Sequence, residues 1–273
     1  MILSFIGKGG VGKTSIAAAS ALELSKTWRT AVVSTDFMPS LRHVISSKDN
    51  LDVVELTESE VGRKWIEKYG EDVYSVLSEF INTDRSILQH ISSAPGVAEE
   101  FMISNLVDMA DSGKYDFIVW DTAASSATMH LLNLEMDFYS HLGRDIQFYL
   151  KVKKKFGTNN AIRILNQWRE LANHVWKRLQ EAHFFLVTTG DELSLLQAAE
   201  IEKDFSAMRL NIDFRICNRF KELSNTREKC RITIPEISGK SREIVDAIRD
   251  ITGKSFLAYI GQLPRNHDAP DRS

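Results

Sequence analysis

A chain of 273 residues that is 43% hydrophobic and 26% charged has ordinary globular composition, with room for one large domain or two small ones. Its formal net charge of −3 gives no global attraction for nucleic acid, so no nucleic-acid partner is expected. No apolar run approaches the ~20 residues that span a bilayer, the first one lacks a basic leader, and two cysteines argue against a disulfide framework; a cytoplasmic protein is predicted.

In chain order, an apolar run over 2–6 leads directly into Gly7-Lys8-Gly9-Gly10-Val11-Gly12-Lys13-Thr14. This fits the phosphate-loop pattern G-x-x-x-x-G-K-[ST]. The glycines let successive backbone N–H groups point inward at phosphates, and a helix read over 13–26 adds the partial positive charge of its N-terminus. Gly9, Gly10, Val11, Gly12, Lys13, Thr14 and Ser15 are the candidate nucleotide-binding residues. Lys13 reaches the β- and γ-phosphates, and the Thr14 hydroxyl binds Mg²⁺. Lys8 is a second lysine in a loop where one neutralises the phosphates.

A strand at 31–34 is followed by Asp36, which would face the same crevice and orient an attacking water, or else cap the helix near Leu41. A weak strand is read at 51–56. Residues 57–113 then exceed what one crossover helix needs, and Ala98, Met102, Leu106 and Met109 make a helical stripe within them. The strand at 115–120 runs into Asp121, whose carboxylate emerges at the C-terminal edge and would hold Mg²⁺ through water. Residues 131–182 form a second excursion, with a stripe at Ala161, Leu165, Trp168, Ala172, Val175 and Leu179. The basic cluster at 151–155 reads as a solvated helix end or loop. Further strands are read at 183–188, 212–217 and 256–260, and helices at 192–209 and 241–251. The polar, proline-bearing tail at 264–273 reads as weakly ordered.

This alternation predicts an α/β fold: a mainly parallel sheet of the P-loop NTPase kind, flanked by helices. One ATPase domain over 1–273 would carry a helical subdomain built from the insertions at about 57–113 and 131–182.

With these pieces in place, the chain resembles the ArsA/Get family of deviant Walker A ATPases, within the class that includes MinD, ParA and nitrogenase iron protein. Lys8 to Thr14 resembles the family's deviant loop, and Ser34-Thr35-Asp36 the start of its switch I. Residues 95–100, followed by Tyr115 to Ala123, resemble the approach to switch II and its Asp-Thr-Ala opening. Cys217-Asn218 resembles the strand end that carries the adenine-reading asparagine. The resemblance implies ATP as the nucleotide and a homodimer that closes around it. Lys8 then acts in trans, as an arginine finger does. It also implies that Asn218 and the loop at Pro264 meet the adenine, so the expected catalytic set is Asp36, Lys8 and Lys13.

Switch I reads Asp-Phe-Met-Pro-Ser from Asp36, where the family usually has Asp-Pro-Ala-His-Asn. Switch II carries Ser126 where the family has its swinging glycine. The targeting members' Cys-x-x-Cys is reduced to Cys230, so no zinc or arsenite site is expected. By resemblance, hydrolysis would drive a dimer that binds a hydrophobic protein client and docks on a membrane-associated receptor. The alternative is a MinD- or ParA-like regulatory or assembly switch. Met102, Met109, Met129, Met136, Phe138, Trp168 and Trp176 suit an adaptable apolar groove, and equally suit a bundle core.

Overall fold

The computed structural model describes residues 1–36, 40–55, 57–78, 82, 84–94, 97–123, 159–220 and 230–263. Pro264 and the tail, the cluster at 151–155, the centre of switch I at 37–39 and switch II beyond Ala123 lie outside the described residues, as do Met129, Met136 and Phe138.

Seven parallel strands form one sheet: β1 (Ile2–Ile6), β2 (Thr30–Ser34), β3 (Leu51–Glu55), β4 (Phe117–Asp121), β5 (His183–Thr189), β6 (Ile212–Phe220) and β7 (Ile232–Pro235). Their order is β3-β2-β4-β1-β5-β6-β7. Every residue of β1, β2 and β4 is buried, as expected of parallel strands covered on both faces. Side chains fill the two faces separately. On one, Phe5, Phe185 and Phe256 form a ring cluster with centroids 5.2 to 6.0 Å apart. On the other, Phe184 packs edge-on against Trp120 and Phe205.

The helices are α1 (Lys13–Leu24), α2 (Leu41–Val44), α3 (Glu58–Ser78), α4 (Ile87–Ser92), α5 (Val97–Asp111), α6 (Asn159–Gln180), α7 (Glu192–Ala207) and α8 (Ser241–Ile260). Ala17, Ala18, Ala19 and Ala21 are wholly buried, and their small side chains let α1 lie close to its neighbours. At Gly253 of α8, a β-carbon would stand 3.0 Å from Glu23 Cδ of α1.

That glycine explains one misreading. The expected strand at 256–260 is the last turn and a half of α8. Gly253 looks like a helix terminator, and Phe256-Leu-Ala-Tyr-Ile260 has strand-like composition. Yet Val245, Ile248, Thr252, Phe256 and Ile260 are all buried at helical spacing, so the helix continues through. The final strand is instead β7, a four-residue run that carries little periodic signal.

A second correction concerns the cysteines. Cys217 and Cys230 are joined to each other, which ties the middle of β6 to the residue leading toward β7. A separation of 13 residues gave no hint of this, because β6 and β7 are brought together only by sheet pairing.

The chain divides into two compact units. The first comprises Met1–Glu55, Asp108–Ser126 and Ala182–Ser273, and contains the whole sheet. The second comprises Leu56–Val107 and Ala127–Glu181, and its described elements are helical. Within the helical unit, Gly70 of α3 meets Leu88 of α4, and Tyr69 packs edge-on against Phe101 of α5 at 5.8 Å. On α6, Ile164, Ala172, Val175 and Leu179 are buried.

Candidate nucleotide site

The loop between β1 and α1 needs glycine for physical reasons that differ by position. Gly12 has φ +96, and a β-carbon there would lie 2.3 Å from Asn218 Nδ2. Gly7 has φ +147 and would collide with the Val187 carbonyl at 2.2 Å. Side chains are thus excluded where the loop presses against the ends of β5 and β6. Gly10, at φ +80, faces open space. As the N-cap of α1, Gly12 offers no side-chain cap, so the first N–H groups of the helix are left for an anion.

Lys13 folds back over this loop. It is 7% exposed, and its ammonium donates to the Gly7 carbonyl at 3.0 Å and the Lys8 carbonyl at 3.1 Å. Burial pulls its pKa down, while the carboxylates of Asp121 and Asp36 push it up. All three groups therefore share one electrostatic environment.

Strand register accounts for that convergence. Phe5 of β1 and Ser34 of β2 both pair with Asp121 of β4, so the ends of these strands stand level. Asp121 is 1% exposed, accepts a hydrogen bond from the Thr14 hydroxyl, and has one oxygen, Oδ1, with no hydrogen-bond partner among the described residues. Desolvation raises its pKa to about 7; Thr14 and Lys13 oppose the rise, and Asp36 and Glu55 add to it. A buried carboxylate with an orphan oxygen is an expensive arrangement, and a cation would compensate it.

The segments that follow β2 and β4 are tied to this edge. Thr35 donates its backbone N–H to the Asp121 carbonyl at 3.2 Å, and its hydroxyl accepts from Trp120 Nε1 at 3.0 Å. Thr122 donates its hydroxyl to the Phe5 carbonyl at 2.8 Å. Asp36 is half-buried, and its backbone N–H donates to Ser34 Oγ. Glu55, at the end of β3, accepts from the backbone N–H groups of Leu41 and Arg42, so α2 is fixed by a carboxylate at its start; Asp36 is not its cap.

Asn218 is 5% exposed, and its amide donates to the Val11 carbonyl at 2.8 Å. Its side chain therefore holds the phosphate loop itself. Lys8 lines a cavity of about 540 Å³ on the outer side of that loop, together with Gly9, Asp191, Arg219 and Glu236. Asp191 caps α7 by accepting from the Ser194 backbone N–H at 2.9 Å. Hydrogen bonds from Thr189 and Ser194 hold its pKa down, and the charge of Lys8 lowers it further. Ser15 is half-buried on the first turn of α1.

Sequence reasoning overlooked Asp191, Arg219 and Glu236. Asp191 carries a legible signal, an N-cap aspartate three residues ahead of Ser194. Arg219 has φ +53 and Glu236 follows the unread β7, so neither was visible beforehand.

Comparison with known proteins assigns the chain to a family. The model of the anion-transporting ATPase family matches residues 1–251. A protein of Chlorobaculum tepidum named "Putative arsenical pump-driving ATPase" is 34% identical over 148 residues, covering 49% of this chain and 35% of that protein. "ATPase ASNA1 homolog 2" of Paramecium tetraurelia is 32% identical over 46% of this chain and 42% of its own length. "ATPase GET3" of Mycosarcoma maydis is 24% identical over 83% of this chain and 75% of its own length. The match thus spans only about a third to two fifths of the first two of these relatives. The family model, by contrast, matches residues that include the phosphate loop, Asp36, Asp121 and Asn218, and the chain belongs to the anion-transporting ATPase family.

Proposed function

We propose that this chain is a cytoplasmic, Mg²⁺-dependent ATP hydrolase that pairs as a homodimer around ATP and uses the cycle to hold and release an apolar protein client. The observation that carries the proposal is the level edge where Lys13, Thr14, Asp36 and Asp121 meet at the uncapped start of α1.

The residues divide the work by position. Backbone N–H groups from Gly9 to Ser15 bind the β- and γ-phosphates, and Lys13 exchanges the Gly7 and Lys8 carbonyls for phosphate oxygens. Thr14 and Asp121 fit Mg²⁺, which when bound neutralises phosphate charge. Asp36 positions a water whose oxygen bonds to the γ-phosphorus as the bond to the β–γ bridging oxygen breaks, giving ADP and phosphate. Lys8 serves the other subunit's phosphates. Asn218 meets the adenine after leaving Val11, and Pro264 closes over the base.

An apolar client is supported by α3. Of its 21 residues only Val61 and Gly70 are buried, so its apolar face remains half-covered among the described residues. The same surface disfavours a purely regulatory switch of the MinD and ParA kind, which needs no such face. Several relatives are named for arsenical pumps. The chain has only two cysteines, too few thiolates for a four-ligand thiolate site, which supports a protein client over arsenite or a thiolate-held zinc.

The test is phosphate release beside ATP binding in Asp36→Asn. We expect turnover to fall by at least ~100-fold with ATP still bound, the scale of a lost water-positioning group. Turnover at the parental rate would remove Asp36 from the mechanism, and absence of ATP binding by the parent chain would overturn the proposal.

A further inference from the structure

The helical unit contains a second cavity, of about 340 Å³, that ATP chemistry does not use. Four helices frame it: Trp65 and Tyr69 come from α3, Ile91 from α4, Phe101 and Ser104 from α5, and Trp168 from α6. All of these residues belong to one compact unit, so the space is formed within the bundle itself. The volume lies at the lower end of the ~300–1,000 Å³ typical of small-molecule sites, which suits a compact ligand.

The walls select against charge. None of the described wall residues carries a formal charge, so a carboxylate or ammonium entering the space would lose its water and gain no counter-ion. Four of the walls are rings: Trp65, Tyr69, Phe101 and Trp168. Tyr69 stands edge-on to both Trp65 and Phe101, with centroids 6.4 and 5.8 Å apart. Such walls present both ring faces and ring edges, which a flat aromatic guest matches better than a flexible chain does.

Polarity is confined to one place. The hydroxyls of Tyr69 and Ser104 stand 3.3 Å from each other, long for a bond between two hydroxyls. Ser104 is 8% exposed, and both residues are cavity walls. Whichever hydroxyl donates within the pair, the other keeps its own proton for a third group, and lone pairs remain on both. A single ligand hydroxyl would complete the set.

We propose that the cavity between α3, α4, α5 and α6 binds an uncharged aromatic molecule bearing one hydroxyl, its rings against Trp65, Phe101 and Trp168 and its hydroxyl at the Tyr69–Ser104 pair. Binding there requires neither ATP nor pairing of two chains.

The experiment titrates nucleotide-free full-length protein with 2-naphthol by calorimetry. Naphthalene, which lacks the hydroxyl, and 2-naphthoate, which carries a charge, are the comparison probes. One saturable 2-naphthol site per chain is expected, about 5-fold tighter than naphthalene, the scale of one hydrogen bond, and at least ~10-fold tighter than 2-naphthoate. Tyr69→Phe keeps the ring and removes the hydroxyl, so it should bring 2-naphthol down to the affinity of naphthalene while leaving naphthalene unchanged. Ala172→Leu, which adds volume to a buried wall residue, should weaken both uncharged probes, with the melting curve reporting its fold. If Ala172→Leu does not fold, Tyr69→Phe decides alone. Absence of saturable binding, no advantage of 2-naphthol over either comparison probe, or an advantage over naphthalene unchanged by Tyr69→Phe would overturn the proposal.

Discussion

The phosphate-loop edge and helix α3 follow opposite packing rules. At the loop, the side chains that shape the site are buried and committed: Lys13 to two carbonyls, Asn218 to Val11, Thr122 to Phe5. On α3, a helix nearly twice as long as α1, only Val61 and Gly70 are buried and the other apolar residues are partly buried. A site that binds phosphates gains from donors fixed in advance, because no ordering cost remains at binding. A face that accommodates varied apolar partners gains from side chains still free to repack. The difference teaches that rigidity and incomplete burial mark separate tasks in this chain.

The largest expected effect is on the loop side and depends on pH. In the absence of metal, the native state retains the Asp121 proton up to about pH 7, whereas the unfolded chain loses it near the ordinary carboxylate value. The folded state therefore binds more protons between about pH 4 and pH 7, and stability falls as pH rises through that window, on the order of 4 kcal/mol in all. Asp121→Asn should remove this slope and raise the metal-free melting temperature at pH 8. In the parent chain, stabilisation by Mg²⁺ with ATP should grow from pH 6 to pH 8 as the cation replaces the proton. Chemical denaturation across pH checks both signs. A flat profile in the parent would show that the carboxylate is not destabilised by burial.

Next in size is Gly12→Ala. A methyl group must enter left-handed backbone at φ +96 and displace the Asn218 amide from Val11. The combined strain and unpaired buried groups should cost about 3 kcal/mol and weaken ATP binding strongly. Nucleotide titration beside urea unfolding reads the two effects separately. Retention of both stability and affinity would mean that the loop tolerates other geometries.

The smallest effect sharpens the other half of the comparison. Val76→Ala on α3 should cost under about 1 kcal/mol, because its side chain is only partly buried and borders a cavity. Val175→Ala on α6, at 1% exposure, should cost about 2 kcal/mol. Equal losses at the two positions would mean that Val76 is covered in solution.

Legibility in the sequence also differed between the regions. The phosphate loop was readable because its chemistry is local: glycine spacing, an incoming strand and an outgoing helix all lie within 25 residues. The approach of Asp36 and Asp121 to Lys13 was readable because each carboxylate follows or ends a buried strand next to the loop. The Cys217–Cys230 bond and Glu236 were not, since each depends on β7, whose four residues leave no period to detect, and Arg219 was not, since nothing in the sequence announces its left-handed backbone. The Asn218 contact with Val11 spans 207 residues and exists only because β6 lies two strands from β1. In the helical unit the stripes on α5 and α6 were visible. Which of those residues would remain half-exposed was not, because periodicity describes one helix and coverage depends on its neighbours.

The central claim is most directly tested by the light-scattering mass of Asp36→Asn protein with Mg²⁺ and ATP, beside ADP and beside the Asp36→Asn, Lys8→Ala double variant. A dimer with ATP that is absent with ADP and lost without Lys8 is the predicted result. A monomer in every condition, or a dimer indifferent to Lys8, would contradict it.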